Sequence, residues 1–432
     1  MRSGVIVWIG LIGVAAGSAN VGRAEPPSKE PDRATILPGA AKSLTVEYGR
    51  WHAWLESPGG DLPFELEFAR GTDGPQVWIC NGEERLAASS VVQAGSQVVI
   101  ELSFYDAALR AEVNGAGRRL AGLYSRRRNK SEWVTMIFQA EFGAVPRFPP
   151  APAGANDGGA SNLSGRWRMK FEGDEEPSIG VFAVAPDRTA TGTVLTTSGD
   201  YRYLAGSFEA GRLRLSCFDG AHAFLFDAKM QPDGTLNGDF WSGAKHHERW
   251  TAVHDDAAEL PDGFQPGPFD NAIRLADIEF PDTKGQAVSL GGDAYRGRAV
   301  IVELFGTWCP NCSDAGDLLG TLHATYSPRG LSVVALAFEV TGEKERDALQ
   351  VERFIERHRT PYPILMAGMT DKKEASAKLP WIQSMKAYPT FLFFDRAGKL
   401  KAVYKGFYGP ATGRDHERMK RELASRIEPL LQ

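Results

Sequence analysis

Two kinds of apolar patterning divide the chain. Before Leu260 the apolar runs are short and of mixed alternation, as in Val98–Tyr105 (VVIELSFY), Leu213–Phe218 (LRLSCF) and Ala223–Ala228 (AFLFDA). Turn clusters separate them: Asn114-Gly115, Asp219-Gly220 and Pro232-Asp233-Gly234. With no helical periodicity between, this predicts small antiparallel β domains, either sandwiches or barrels. After Pro268 strand-like runs alternate with helical repeats. Ala299–Phe305 (AVIVELF) reads as a buried strand and Ser313–Tyr326 as a helix. Leu331–Phe338 is a second apolar run, and Arg346–His358 carries Leu349, Val351, Phe354 and Ile355 on a helical repeat. Tyr362–Met366 is short and apolar. Thr390–Phe394 and Lys401–Tyr404 bracket the turn at Asp395–Gly398, and His416–Leu431 closes as an amphipathic helix. That order predicts a central sheet flanked by helices.

Stretches rich in Pro and Gly set the boundaries. Phe148–Ser161 (FPPAPAGANDGGAS) and Leu260–Phe269 (LPDGFQPGPF) read as linkers. The expected organisation is a leader at 1–24, a β-rich domain at 40–147, a linker at 148–161, a second β-rich domain at 162–256, a linker at 257–267 and an α/β domain at 268–432. The two β-rich regions share landmarks. Gly49-Arg50-Trp51 corresponds to Gly165-Arg166-Trp167, Ser103–Asp106 to Ser216–Asp219, and Gly122 to Gly238. Trp51 to Gly122 spans the same distance as Trp167 to Gly238, so an internal duplication is expected, with a small gap at the middle match. Asp106 and Asp219 recur at matching places and read as turn-capping residues. Trp51, Trp167 and Trp241 read as core, although aromatics so placed can also stack on a peptide or glycan. His246-His247 reads as an exposed loop.

Composition narrows the function classes. The chain has 432 residues, 43% hydrophobic and 24% charged, with a formal net charge of −5. No bulk basic field exists to attract nucleic acid; the cluster Arg126-Arg127-Arg128 with Lys130 reads as a solvated loop. At the N-terminus Arg2 precedes the apolar stretch Val5–Ala16, and Gly22-Arg23-Ala24 offers a small-x-small cleavage site before Glu25. This is the layout of a secretory signal peptide, so the protein is expected in a periplasm or outside the cell, or membrane-anchored if the segment is not cleaved. Export matters because disulfides persist outside the cytosol. Of the four cysteines, Cys80 and Cys217 lie far apart and read as separate buried thiols, with pairing left open.

The other two carry the chemistry. Trp308-Cys309-Pro310-Asn311-Cys312 follows the strand Ala299–Phe305 and opens the helix. A cysteine at a helix N-terminus meets the positive end of the backbone dipole, which favours the thiolate that attacks disulfides. Cys309 is therefore the expected nucleophile and Cys312, one turn inward, the resolving thiol. Pro310 suits the first helical turn. Zinc needs about four ligands, and neither a second Cys-x-x-Cys nor a nearby His pair is present, so no metal and no cofactor beyond a Cys309–Cys312 disulfide is expected. Glu303 interrupts the apolar strand and is a candidate proton relay to Cys312. Tyr388-Pro389-Thr390 precedes the strand Thr390–Phe394; proline is tolerated at that position, and a cis bond is one reason for placing it there.

Residues Pro268–Gln432 resemble the TlpA/ResA-like branch of exported thiol-disulfide oxidoreductases in the thioredoxin-like superfamily. The resembling residues are Ala276–Phe280 with Gly285 and Val288–Leu290, then Gly297–Val302, Gly306–Cys312 and Tyr388–Thr390. The resemblance implies a thioredoxin fold, a cis Pro389 facing the cysteines, and a substrate surface including Trp308, Tyr388, Pro389 and Thr390. It places Glu303 where such proteins keep a buried acid, here Glu instead of the commoner Asp or Asn. The expected activity is reduction of disulfides in client proteins, with a membrane-linked electron donor as the second partner. The two β domains resemble, more weakly, the β-rich extensions of some such proteins. Two other readings stay open: a peroxiredoxin-like thiol peroxidase, although Thr307 stands two residues before Cys309 instead of three, and a binding or scaffold protein using the β domains with an accessory thiol domain.

Overall fold

A computed structural model of the chain describes residues 44–152, 163–265, 269 and 273–432. The expected leader at 1–24 lies outside the described residues, as do parts of both linkers.

The N-terminal region is all-β. Its first unit is a nine-stranded antiparallel sheet made of two meanders, Gly49–Ser57 through Glu84–Ala87 and Ser90–Ala94 through Trp133–Phe142. They join because the first strand pairs with the last, Trp51 opposite Phe142. The sheet stays open between Glu84–Ala87 and Ser90–Ala94. The second unit closes on itself. Its strands run in an up-and-down order from Gly165–Phe171 to His246–His254, those two pair, and Ser178–Val184 pairs with Thr189–Thr196 to complete a barrel. Aromatic rings fill the interior: Phe226 stacks on Phe240 at 4.5 Å and meets Trp250 edge-on at 6.0 Å. A barrel of this size is filled by its own side chains.

Each unit carries a buried tryptophan in its first strand. Trp51 Nε1 donates to Glu47 O and Trp167 Nε1 to Leu163 O, each at 2.9 Å and each to the carbonyl four residues earlier. Trp241 differs from these two. It is half-buried, packs against the core of the first sheet, and stacks on His247 at 5.1 Å.

Several sequence expectations are corrected here. The run Val98–Tyr105 ends as a strand at Leu102, and Ser103–Tyr105 form a single 3-10 turn closed by Asp106 at φ 53°. Asp106 does more than cap a turn: its carboxylate pairs with Arg127 at 2.8 Å and with Arg346 of the C-terminal domain. The Arg126–Arg128 cluster with Lys130 is a solvated loop only in part: Arg128 and Lys130 are exposed in the turn after the strand. Arg126 and Arg127 end the strand Arg119–Arg127, and Arg127 is buried over Trp133. His246 and His247 open a strand, where His247 Nε2 meets Asp239 Oδ1 at 2.8 Å. Asp219 caps its turn, accepting from the N–H groups of Ala221 and His222, and also pairs with Arg202. Cys80 and Cys217 are both free thiols.

In the C-terminal domain the sheet order is Ile364–Met369, Leu331–Glu339, Ala299–Phe305, Thr390–Phe394, Leu400–Lys405. The first three strands are parallel and the last two antiparallel to their neighbours. Every residue of Ala299–Phe305 is buried, because helices cover both faces of a central parallel strand. That is why its sequence is apolar apart from Glu303. The helices are Pro310–Tyr326, Lys344–His358, Lys373–Lys378 and Arg414–Ile427. On the second, Val351 and Phe354 are buried but Leu349 is exposed, off the packed face the periodicity assigned to it.

The three units pack on one another. Phe218 on the barrel's outer wall joins the core of the first sheet, 4.6 Å from Phe64 and 4.9 Å from Tyr124. Ile179, Leu195 and Ala258 of the barrel region join the core on the helix side of the C-terminal sheet. At the same seam Arg166 donates to Asp415 at 2.7 Å, both side chains buried. Between the first sheet and the last domain, Arg357 lies 3.7 Å from the Phe104 ring. No helix among the described residues is long and apolar enough to cross a membrane.

Candidate active site

The strand Ala299–Phe305 delivers the chain to the turn Gly306–Trp308, and the helix starts at Pro310 with Cys309 as its cap. The Cys309 sulfur accepts the N–H of Cys312 at 3.2 Å. A helix leaves its first N–H groups without intrahelical partners, and here the sulfur satisfies one of them. That contact is better the more negative the sulfur. Cys309 is 7% exposed and Cys312 is fully buried, so only the first can meet a substrate. Burial, then the bonded and charged Cys309 sulfur, push the Cys312 thiol well above its ordinary value.

Glu303 lies in the central strand between Ala335 and Phe391, fully buried. Neither of its carboxylate oxygens has a hydrogen-bond partner among the described residues. Burial, reinforced by charge on Cys309, raises its pKa well above the usual carboxylate range. Cys312 feels the Glu303 charge in turn.

The turn before Cys309 is held by a second buried acid that sequence reasoning missed. Glu339 ends the neighbouring strand Leu331–Glu339 and accepts from Thr307 N at 2.9 Å and Thr307 Oγ1 at 2.8 Å. Burial raises its pKa to about 7, against the pull of those two bonds. The only signal in the sequence was an acid at the end of an apolar run. Trp308 is fixed by Nε1 donating to Phe338 O at 2.9 Å, and its ring meets Tyr388 edge-on at 5.5 Å.

Opposite the cysteines, the Tyr388–Pro389 bond is cis. Tyr388 O lies 3.9 Å from Cys309 Sγ, and Thr390 is buried with its hydroxyl on Ala387 O. Lys372, also unforeseen, is buried with its ammonium on Met385 O and 4.3 Å from the Tyr388 ring. Burial lowers its pKa to about 8.

The barrel completes the site. Asn311, between the cysteines, donates weakly to Asp200 O at 3.4 Å and Phe407 O at 3.5 Å. Gly199 has φ 153°, and a Cβ there would stand 2.3 Å from Asn311 Nδ2; one on Gly406 would stand 2.6 Å from the Ser198 carbonyl carbon. Backbones approach this closely only where side chains are missing. Arg202 sits behind the contact with its side chain buried. It pairs with Asp314, two residues past Cys312, with Glu84 of the first sheet at 2.9 Å and with Asp219 at 3.6 Å. What remains open above Cys309 is a cleft of about 410 Å³ walled by all three units. No cluster of three or more His, Cys, Asp or Glu residues able to hold a metal occurs among the described residues.

A five-stranded sheet of this order, with a Cys-x-x-Cys at the N-terminus of the helix after its central strand and a cis-proline facing the pair, defines a thioredoxin-like dithiol domain. Residues 273–403 match the family described as AhpC/TSA family. Among curated relatives, the thiol-disulfide oxidoreductase ResA of Geobacillus kaustophilus is 28% identical over 135 residues, covering 30% of this chain and 66% of that protein. The thioredoxin-like protein YneN of Bacillus subtilis is 28% identical over 130 residues, 30% of this chain and 68% of that one. The chain spans 66% and 57% of the lengths of the ResA proteins of two Geobacillus species. Among solved structures, a secreted thiol-disulfide isomerase from Corynebacterium glutamicum aligns with TM-score 0.30 and 18% identity over 41% of this chain and 96% of that one. A thiol:disulfide interchange protein of the thioredoxin family from Chlorobium tepidum aligns with TM-score 0.26 and 22% identity over 33% and 92%.

Proposed function

We propose that this chain is an exported thiol-disulfide oxidoreductase that reduces disulfides of client proteins through Cys309 and Cys312. The observation that carries the reading is the sulfur of Cys309 capping the helix by accepting the Cys312 N–H, with the unpartnered carboxyl of Glu303 buried beneath the pair. Cys309 thiolate attacks one sulfur of the client disulfide. A Cys309–client bond forms, and the other client sulfur leaves as a thiolate. Cys309 then carries no charge, so one cause of the raised Glu303 pKa disappears. The Glu303 carboxylate takes the proton of Cys312. Cys312 attacks Cys309, and the second client sulfur departs. The protein ends with a Cys309–Cys312 disulfide, and two electrons from a membrane-linked donor restore the dithiol.

Supporting export are the leader layout at the N-terminus and chemistry that needs a compartment where disulfides persist. The matching placement of Trp51 and Trp167, and the first-with-last strand pairing of both β units, support an origin by duplication. We assign these units the role of walls to the thiol cleft.

A Cys312→Ala variant tests the reading, since it should accumulate mixed disulfides at Cys309 that mass spectrometry identifies. No captured thiol partner, together with unchanged reduction of a model disulfide by Cys309→Ser, would sink it. Rapid turnover of peroxide by the reduced protein, without disulfide turnover, would favour the thiol-peroxidase alternative.

A further inference from the structure

The cleft over Cys309 carries a charge pattern that the exchange chemistry does not require. Each of the three units contributes one basic side chain to it: Arg126 from the first sheet, His222 from the barrel, and Lys386 from the loop before Pro389. Neither Arg126 nor Lys386 is in a salt bridge among the described residues, and Arg126 Nε is buried without a hydrogen-bond partner among them. His222 is held in place. Its Nδ1 lies 3.1 Å from Asp219 Oδ2, and its ring stacks on Phe224 at 4.6 Å. An ionised carboxylate only accepts, so Nδ1 carries the hydrogen, and Nε2 donates to a ligand carboxylate only in the doubly protonated ring.

The acids nearby are already committed. Asp200, the carboxylate among the lining residues, accepts Arg202 N at 2.7 Å with one oxygen and Gly409 N at 2.6 Å with the other. Asp219 serves His222 and Arg202. Arg126 and Lys386 thus face the cleft without an acidic partner, beside a His222 ring held by Asp219, in a chain whose net charge is negative. This local reversal of sign lies beside the nucleophile.

We propose that the disulfide this cleft accepts is flanked by carboxylates, which Arg126, His222 and Lys386 recognise together. The inference rests on the reading of Cys309 as the attacking thiol. Two electrons pass from the Cys309/Cys312 dithiol to the substrate disulfide, which leaves as two thiols. The carboxylates stay unchanged and serve only to orient it. Complementary charge of this kind acts chiefly on the encounter rate and on the choice between partners. The carboxylates can belong to an acidic client segment or to a small disulfide, since the chemistry is shared.

Four probes and the full chain test it. Two cystine peptides of equal length, one with Glu and one with Lys around the disulfide, are compared by stopped-flow oxidation of the reduced protein. Glutathione disulfide and cystamine form the small anionic and cationic pair. We expect the Glu peptide to react about tenfold faster than the Lys peptide at low ionic strength. The ratio should fall as salt screens the cleft and approach unity in the R126Q/K386Q double variant. The wild-type salt dependence keeps the test valid if that variant folds poorly. A matching preference for glutathione disulfide over cystamine admits small disulfides; a preference confined to the peptides assigns the site to client segments. Equal rates within both pairs, with turnover intact, would overturn this proposal and leave the oxidoreductase reading standing. Absence of turnover with all four probes would overturn both.

Discussion

At the residue scale the site is governed by buried acids. Glu303 has no hydrogen-bond partner among the described residues, so its charged form is opposed by desolvation and favoured by nothing nearby. Its role as proton acceptor predicts that Glu303→Gln slows the resolving step about a hundredfold and flattens its pH dependence. Rapid-quench measurement of mixed-disulfide decay across pH would check this. Attack by Cys309 on the client should change far less, because that step needs no proton from Cys312. Glu339 offers a second, independent pH signature. Its folded pKa of about 7 exceeds the ordinary 4.5. Between those values the folded state holds a proton that the unfolded chain has released, so its contribution to stability is complete below about 4.5 and is lost as pH rises towards 7. At about 1.4 kcal/mol per pKa unit, the loss is about 3 kcal/mol. Glu339→Gln should remove this slope, and denaturant unfolding of the two proteins at pH 5 and pH 8 would measure it.

At the element scale, the helix Pro310–Tyr326 and the strand before it form one half of the site and the barrel loop around Gly199 the other. The strand is readable from its apolar run, and the helix start from Cys309 and Pro310. The loop is not, because Thr196–Asp200 has the composition of any surface turn. Its contact with Asn311 depends on bare backbone at Gly199. Gly199→Val should therefore lift this short hairpin, where Gly199 pairs with Thr196, off the Cys-x-x-Cys turn while leaving the barrel closed, since the pairings that close it lie on either side. We expect Cys309, 7% exposed in the native protein, to be alkylated several-fold faster in this variant, with an unchanged far-ultraviolet circular dichroism spectrum. An unchanged alkylation rate would mean that the loop does not limit access.

At the scale of the whole molecule, Arg202 ties the three units together. Its buried guanidinium faces Glu84, Asp219 and Asp314, each from a different unit. Removing one partner from a buried ionic cluster costs more than the cluster contributes, because the remaining charges are left unpaired. Arg202→Met should destabilise the assembly by about 3–5 kcal/mol. Calorimetry should then record separate unfolding of the barrel and the thiol domain in place of one transition. A single transition at an unchanged temperature would contradict that role.

How much was legible follows from which contacts are local. Cys309, Cys312 and Glu303 announced themselves because their chemistry depends on a motif, a helix start and a break in an apolar strand, all within ten residues of sequence. The β character of the first two units was readable from short runs and turn pairs, but barrel and sandwich share those signals, and closure was decided by Ser178–Val184 finding Thr189–Thr196. Asp106 passed for a simple turn residue and Arg127 for a solvated one because each acquires its partner only on folding, 21 residues apart along the chain. Arg202 and Asp314 are separated by 112 residues. By itself, then, the sequence determined a dithiol on a strand–turn–helix unit, since backbone propensity and spacing are local properties. The tertiary structure alone decided that a barrel loop would close over that dithiol and that basic side chains from three units would line the cleft beside it, because burial and electrostatics act through space and are indifferent to chain separation.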